Sequence, residues 1–150
     1  MESREGEVLK AFNHLYKEMD AHYHAIAVKL GLSDSAFVIL YQICTLGSGC
    51  RQKDISAMSV ISKQTINSSI RRLEQEGFLC LKPGKGRDMH IFLTPEGENF
   101  VHQKVLPVIE CENAAFEAMS KEEQKEIIRL LRKYLITFQK ETEEKGFSKK

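Results

Sequence analysis

From Leu9 the chain repeats apolar residues in alternating steps of three and four, at Leu9, Phe12, Tyr16, Met19, Tyr23, Ile26 and Leu30. That spacing draws one apolar seam along a helix and leaves the opposite side polar. Gly31 follows the last seam residue, where a left-handed cap is easiest, so the helix is predicted to stop there. Ser33 is placed to cap a second helix. Its run over residues 37–46 is mostly apolar, which predicts a central helix buried on nearly all sides and broken at Gly47-Ser48-Gly49.

The stretch 52–59 offers Ile55 and Met58 as inward positions, the pattern of a two-turn helix pinned on one side. After a tight turn at Ser59-Val60, Ser62 is the N-cap of the next helix, with Ile61 and Ile66 at the positions of a hydrophobic staple. Ile66, Ile70 and Leu73 then make a narrow apolar stripe, and Gly77 closes the helix. Its other face carries Lys63, Gln64, Thr65, Asn67, Ser68, Arg71 and Arg72. Beyond Gly77 the period changes to that of strands over 78–82 and 89–93, joined by the turn-forming loop 83–88: a hairpin with a basic tip. Thr94 and Pro95 start another helix, which runs through Phe100, Val101, Val105 and Ile109 and should kink at Pro107. Ser120 and Glu123 form a capping box for a last helix presenting Ile127, Leu131, Tyr134, Leu135 and Phe138 before a charged tail that should fray.

Composition narrows this picture. With 150 residues and 42% hydrophobic content the chain suits one core completed by a partner subunit. No run approaches the ~20 apolar residues of a membrane span, and the N-terminus lacks a signal-peptide layout, so a cytoplasmic protein without membrane contact is expected. Net charge is only +1, but residues 51–90 hold eight Lys or Arg against four Asp or Glu, a net of +4, while the remainder carries −3. A neutral chain with a basic middle suits local contact with a polyanion.

A helix that enters the major groove of DNA needs a thin buried stripe, an exposed polar face and a free first turn. Residues 62–76 meet all three conditions. Gln64 and Asn67 have the amide pair that matches adenine, Lys63 and Arg71 or Arg72 suit guanine or phosphate, and Thr65 and Ser68 adapt to either. Such a face alone also describes many solvated surface helices. The order short helix, tight turn, capped polar helix and Gly-rich basic hairpin is more specific, being that of a winged helix-turn-helix. Arg51, Ser62, Lys82, Lys85 and Arg87 join the candidate DNA contacts, with Arg87 at the hairpin tip suited to the negative potential of the minor groove.

The run Ser62-Lys63-Gln64-Thr65, then Leu73-Glu74-Gln75-Glu76-Gly77-Phe78-Leu79, Arg87 and Ile91-Phe92-Leu93-Thr94-Pro95-Glu96-Gly97 resembles the MarR family of bacterial regulators, over nearly the whole chain. The resemblance implies a mainly α fold with a small β-hairpin wing. Residues 32–94 would be the DNA-binding winged helix, and 1–31 with 95–150 the helical dimerisation region. It implies a homodimer on a two-fold symmetric site in double-stranded DNA, acting as a repressor, with the capped helix in the major groove and Arg87 in the minor groove. It also implies an aromatic-lined effector pocket for a small aromatic or amphipathic ligand, with Phe12, Tyr16, Tyr23 and Tyr41 as candidates. Those side chains equally suit dimer and core packing, because seam positions exist to pack. The family usually has an aspartate two residues before the hairpin arginine; this chain has Lys85.

Other chemistry finds little support. Cys44, Cys50, Cys80 and Cys111 lack metal or disulfide spacing and read as reduced thiols, Cys111 and Cys50 being the two to test for redox response. His22 and His24 are two apart and point apart on a helix, and the other histidines are scattered, so neither metal nor cofactor is expected. There is no nucleophile elbow, phosphate loop or paired carboxylate, and no enzyme is expected. The competing reading is a winged-helix protein adaptor, which the basic excess of residues 51–90 disfavours.

Overall fold

The computed structural model describes residues 5–86 and 88–147. The chain divides into two compact units, Met1–Pro107 and Val108–Lys150.

In the first unit α1 (Glu7–Lys29) ends as its sequence predicts. Gly31 has φ +74°, and the amides of Gly31 and Leu32 donate back to the carbonyls of Val28 and Ala27 at 3.0 and 2.9 Å. Helix α2 (Asp34–Leu46) is capped by Ser33, whose Oγ accepts from the Ala36 amide at 3.2 Å. It buries Ala36, Phe37, Ile39, Leu40 and Ile43 and packs against α1, α3 and α4, so it is the core helix the apolar run requires.

A strand absent from the sequence expectations follows. Strand β1 (Cys50–Arg51) pairs antiparallel with β3, Cys50 opposite Ile91 and Arg51 opposite His90. Two residues carry no legible period; the pairing exists because β3 offers a free edge. Helix α3 (Gln52–Met58) buries Ile55, but Met58, expected inside, is 52% exposed. The helix stops there, Ser59 is extended, and the half-buried Ser59 turns its Oγ inward in place of the methionine.

Helix α4 (Lys63–Gln75) buries Ile66, Ser69, Ile70 and Leu73 and nothing else. Ser69 Oγ lies 2.6 Å from Ser35 Oγ of α2, which satisfies two hydroxyls where α2 and α4 pack. At its end Gly77 has φ +84°, a conformation that a side chain resists, and the Phe78 amide donates to the Leu73 carbonyl at 2.9 Å. Strands β2 (Leu79–Pro83) and β3 (Met89–Leu93) form the expected hairpin, one residue later at its start, and the sheet order is β1-β3-β2. Pro83 is tolerated because β2 is an edge strand.

Thr94 caps α5 (Pro95–Phe100), its Oγ1 accepting from the Gly97 amide at 3.0 Å. Gly97 is required by space: a Cβ there would lie 2.0 Å from the Phe78 carbonyl oxygen. The helix then widens into a π turn (Val101–Val105) before α6 (Leu106–Glu117), with the Leu106 amide donating to the Val101 carbonyl. Pro107 lacks an amide and crowds the preceding turn, so its effect appears as this local widening just upstream.

The second unit continues α6 and adds α7 (Lys121–Glu144). The predicted capping box is present: the Glu123 amide donates to Ser120 Oγ at 3.2 Å and the Ser120 amide to Glu123 Oε2 at 2.7 Å. Gln124 Nε2 donates to the carbonyls of Phe116 and Met119, satisfying the end of α6.

These contacts predict that Ile55→Ala costs about 2–4 kcal/mol and Gly97→Ala about 1–3 kcal/mol, whereas Met58→Ala stays within about 0.5 kcal/mol. Urea unfolding followed by circular dichroism measures all three, and a large Met58 effect would contradict the arrangement of α3.

Candidate nucleic-acid interface

Because α4 is buried along one stripe only, its remaining positions face outward. Ser62 Oγ accepts from the Thr65 amide at 3.1 Å and lies 2.9 Å from Thr65 Oγ1, so the cap occupies the third amide of the turn. The amides of Lys63 and Gln64 are left to point along the helix axis, the arrangement that attracts phosphate. Lys63, Gln64 and Arg71 are exposed and make no side-chain hydrogen bond or ion pair among the described residues. Arg72 differs: its Nε lies 2.9 Å from Glu76 Oε1. Of the two arginines the sequence left open, Arg71 is therefore the one with an uncommitted guanidinium.

Two other residues on this face are also engaged. Asn67 Oδ1 accepts from Gln52 Nε2 of α3, and Ser68 Oγ donates to the Thr65 carbonyl at 2.9 Å. The Asn67 amino group and a Ser68 lone pair remain for a partner.

Around the helix, the basic residues of the sequence divide into paired and open. Arg51 grips Asp54 through Nε and Nη2, both at 2.8 Å. That hydrogen bonding holds the Asp54 carboxyl below the usual carboxylate range and raises the Arg51 guanidinium. Lys53 of α3 pairs with Asp88 at 2.8 Å. On the hairpin, Lys82 lies 4.8 Å from the centre of the Phe92 ring, a cation–π contact that leaves its charge available, and Lys85 is exposed. Arg87 lies outside the described residues. Three of the four carboxylates in residues 51–90 are thus matched to Arg51, Lys53 and Arg72, and the local positive excess sits on Lys63, Arg71 and the hairpin lysines.

Residues 30–88 match the MarR family model. That matched segment, the winged-helix part of the fold, is similar to the MarR family. No curated protein matches the sequence. Among solved structures, S. aureus MepR in complex with DNA superposes with a TM-score of 0.67 at 20% identity, over 86% of this chain and 96% of that one. A MarR transcriptional regulator from Methanosarcina mazei Go1 gives 0.63 at 22% identity, over 87% and 95%. Bordetella bronchiseptica BpsR, whose DNA binding is regulated by 6-hydroxynicotinic acid, gives 0.62 at 24% identity, over 83% and 98%. At these identities the likeness is one of fold. It is the fold that these solved transcription regulators share.

On this MarR fold the four aromatic effector candidates stand as follows. Phe12, Tyr16 and Tyr23 are on α1, with Tyr16 and Tyr23 exposed; Tyr41 is on α2, its ring 6.0 Å from that of Phe37. Tyr16 lines a shallow depression of about 320 Å³ with Lys10, Asn13, His14 and Lys17, which none of the other three candidates joins. Cys44 and Cys50 are half-buried, and desolvation pushes both thiols up from their ordinary value; Cys80 is half-buried and Cys111 exposed. Among the described residues no group of three His, Cys, Asp or Glu could hold a metal, and no single helix is long and apolar enough to cross a membrane.

Sequence reasoning missed the side-chain pairs. Lys53 and Asp88 are 35 residues apart, and only the hairpin's return beside α3 brings them together. The Arg51–Asp54 pair had a signal, a basic and an acidic residue three apart at a helix start.

The folded Asp54 carboxyl is more acidic than in an unfolded chain, so the pair with Arg51 favours folding at neutral pH. That contribution fades as pH falls below the ordinary carboxylate range and through the folded midpoint. An NMR titration should place the Asp54 midpoint below that of an ordinary aspartate, and Arg51→Met should move it back up; an unmoved midpoint would refute the pairing.

Proposed function

We propose that this chain is a homodimeric transcriptional repressor that reads a two-fold symmetric operator and responds to a small aromatic or amphipathic effector. The observation that carries the DNA-binding part is the state of α4: one buried stripe, two open first-turn amides, and exposed Lys63, Gln64 and Arg71 without partners among the described residues. It occurs on a fold that in S. aureus MepR is seen bound to DNA.

In this reading α4 lies in the major groove. Gln64 makes a bidentate contact to adenine, Lys63 and Arg71 meet guanine or phosphate, and Thr65, Asn67 and Ser68 complete the base-edge contacts. Arg51, Lys82 and Lys85 add phosphate attraction, and Arg87 enters the minor groove.

Dimerisation is supported by apolar side chains that α1 and α7 each leave in water. On α7, Ile127, Leu131, Tyr134, Leu135 and Phe138 are all at least 37% exposed, spaced as one helical face; on α1, Leu9, Tyr16, Met19 and Tyr23 are at least 40% exposed. Surfaces of that kind call for a partner. Residues 1–31 and 95–150 supply the dimer region in this reading, and 32–94 the DNA reader. The effector pocket is assigned to Phe12, Tyr16, Tyr23 and Tyr41, completed on dimerisation, with BpsR as precedent for an aromatic acid acting on this fold. A cytoplasmic location follows from the role.

Selection of random duplexes by the purified protein should enrich a two-fold motif with half-sites roughly one helical turn, ~10 bp, apart. Arg87→Ala should weaken binding to that duplex and flatten its salt dependence. Leu131→Asp should give monomers in sedimentation equilibrium and lose tight binding. Folded dimers that enrich no motif would overturn the reading.

A further inference from the structure

The hairpin is fastened at its C-terminal shoulder. Asp88 is the residue at which the loop turns back into β3: its carbonyl accepts from the Gly84 amide at 2.8 Å and its amide donates to the Lys85 carbonyl at 3.3 Å. Nearby, His90 Nδ1 lies 2.8 Å from the Gly49 carbonyl, and the His90 ring lies so close over Gly84 that a Cβ there would be 2.5 Å from Cδ2. These ties are internal to the sheet and its loops. The Asp88 side chain makes a different kind of link, to Lys53 Nζ of α3 at 2.8 Å, joining the hairpin to the helix pair that presents α4. Hydrogen bonding to Lys53 first, and then the charges of Lys53, Arg51 and His90, hold the Asp88 carboxyl below the usual range.

With the side chains of Lys53 and Asp88 56% and 32% exposed, the pair adds little to global stability. Its use lies in geometry. A hairpin free to swing would have to be ordered each time it met a duplex, and ordering lowers affinity. We propose that Asp88 is a positioning residue for DNA binding: through Lys53 it sets the angle of the hairpin against α3, so that the hairpin's basic side chains and the outer face of α4 are held ready for one duplex.

The proposal rests on the DNA-binding reading above, and the sign of one effect separates it from simple electrostatics. A carboxylate next to a DNA-binding surface repels phosphate, so charge alone predicts that Asp88→Asn tightens binding. Positioning predicts that it weakens binding.

The experiment measures affinity for the selected duplex by fluorescence anisotropy for the wild-type chain, Asp88→Asn, and the reversed pair Lys53→Asp/Asp88→Lys, which keeps net charge and pairing. Melting temperatures are taken in parallel. Asp88→Asn should bind at least about fivefold more weakly with an unchanged melting temperature, and the reversed pair should return to within about twofold of wild type. Should Asp88→Asn melt early, the reversed pair alone decides: binding near wild type supports the link, and a loss of about tenfold or more refutes it. Equal or tighter binding by a folded Asp88→Asn overturns the proposal while leaving the DNA-binding reading intact. A wild-type chain that binds no duplex overturns both.

Discussion

The packing of α4 against the core decides what the rest of the chain can do with that helix. Ile66, Ile70 and Leu73 each bury a full side chain, worth roughly 1.5–3 kcal/mol apiece against exposure, and Ser69 between them bonds to Ser35 where a larger group would push the helices apart. A broader apolar stripe would draw Gln64 or Asn67 inward. A narrower one would not hold a 13-residue helix of such polar composition. The stripe fixes the helix's rotation about its own axis, and therefore which side chains a partner meets. Ser62, Gly77 and the two-turn α3 fix where it begins and ends.

Charge has a second ordering effect on the same surface. The acidic residues beside α4 are not scattered at random: Asp54, Glu76 and Asp88 each hold one basic residue to its own chain. Such exposed pairs do little for stability. What they do is sort the cations, leaving Lys63, Arg71 and Lys85 outward without a carboxylate partner among the described residues. The net charge of +1 hides this division completely.

Most of the fold was legible because its punctuation is local. The caps at Ser33, Ser62, Thr94 and Ser120 stand where a hydroxyl precedes an apolar-periodic run, and the ends at Gly31 and Gly77 where only a left-handed residue fits. Features that failed depend on distant partners. Strand β1 forms against β3 across some forty residues, and Met58, the last residue of α3, stays exposed while Ser59 after it turns its Oγ inward. The π turn at Val101–Val105, just upstream of Pro107, likewise has no signature in the apolar period. The chemical identity of the α4 face was readable from sequence, but its sorting into open and engaged groups was not. Asn67 to Gln52 and Asp88 to Lys53 are contacts between elements whose approach no periodicity encodes.

In the proposed function the outer face of α4 meets duplex DNA. Amide chemical shifts in a ¹⁵N-labelled chain, followed while a duplex is added and then displaced by salt, test it most directly. The largest changes should fall within residues 62–72 and in the hairpin lysines, and they should reverse as salt rises. Salt-sensitive binding whose shifts fall elsewhere, with residues 62–72 unmoved, would contradict it.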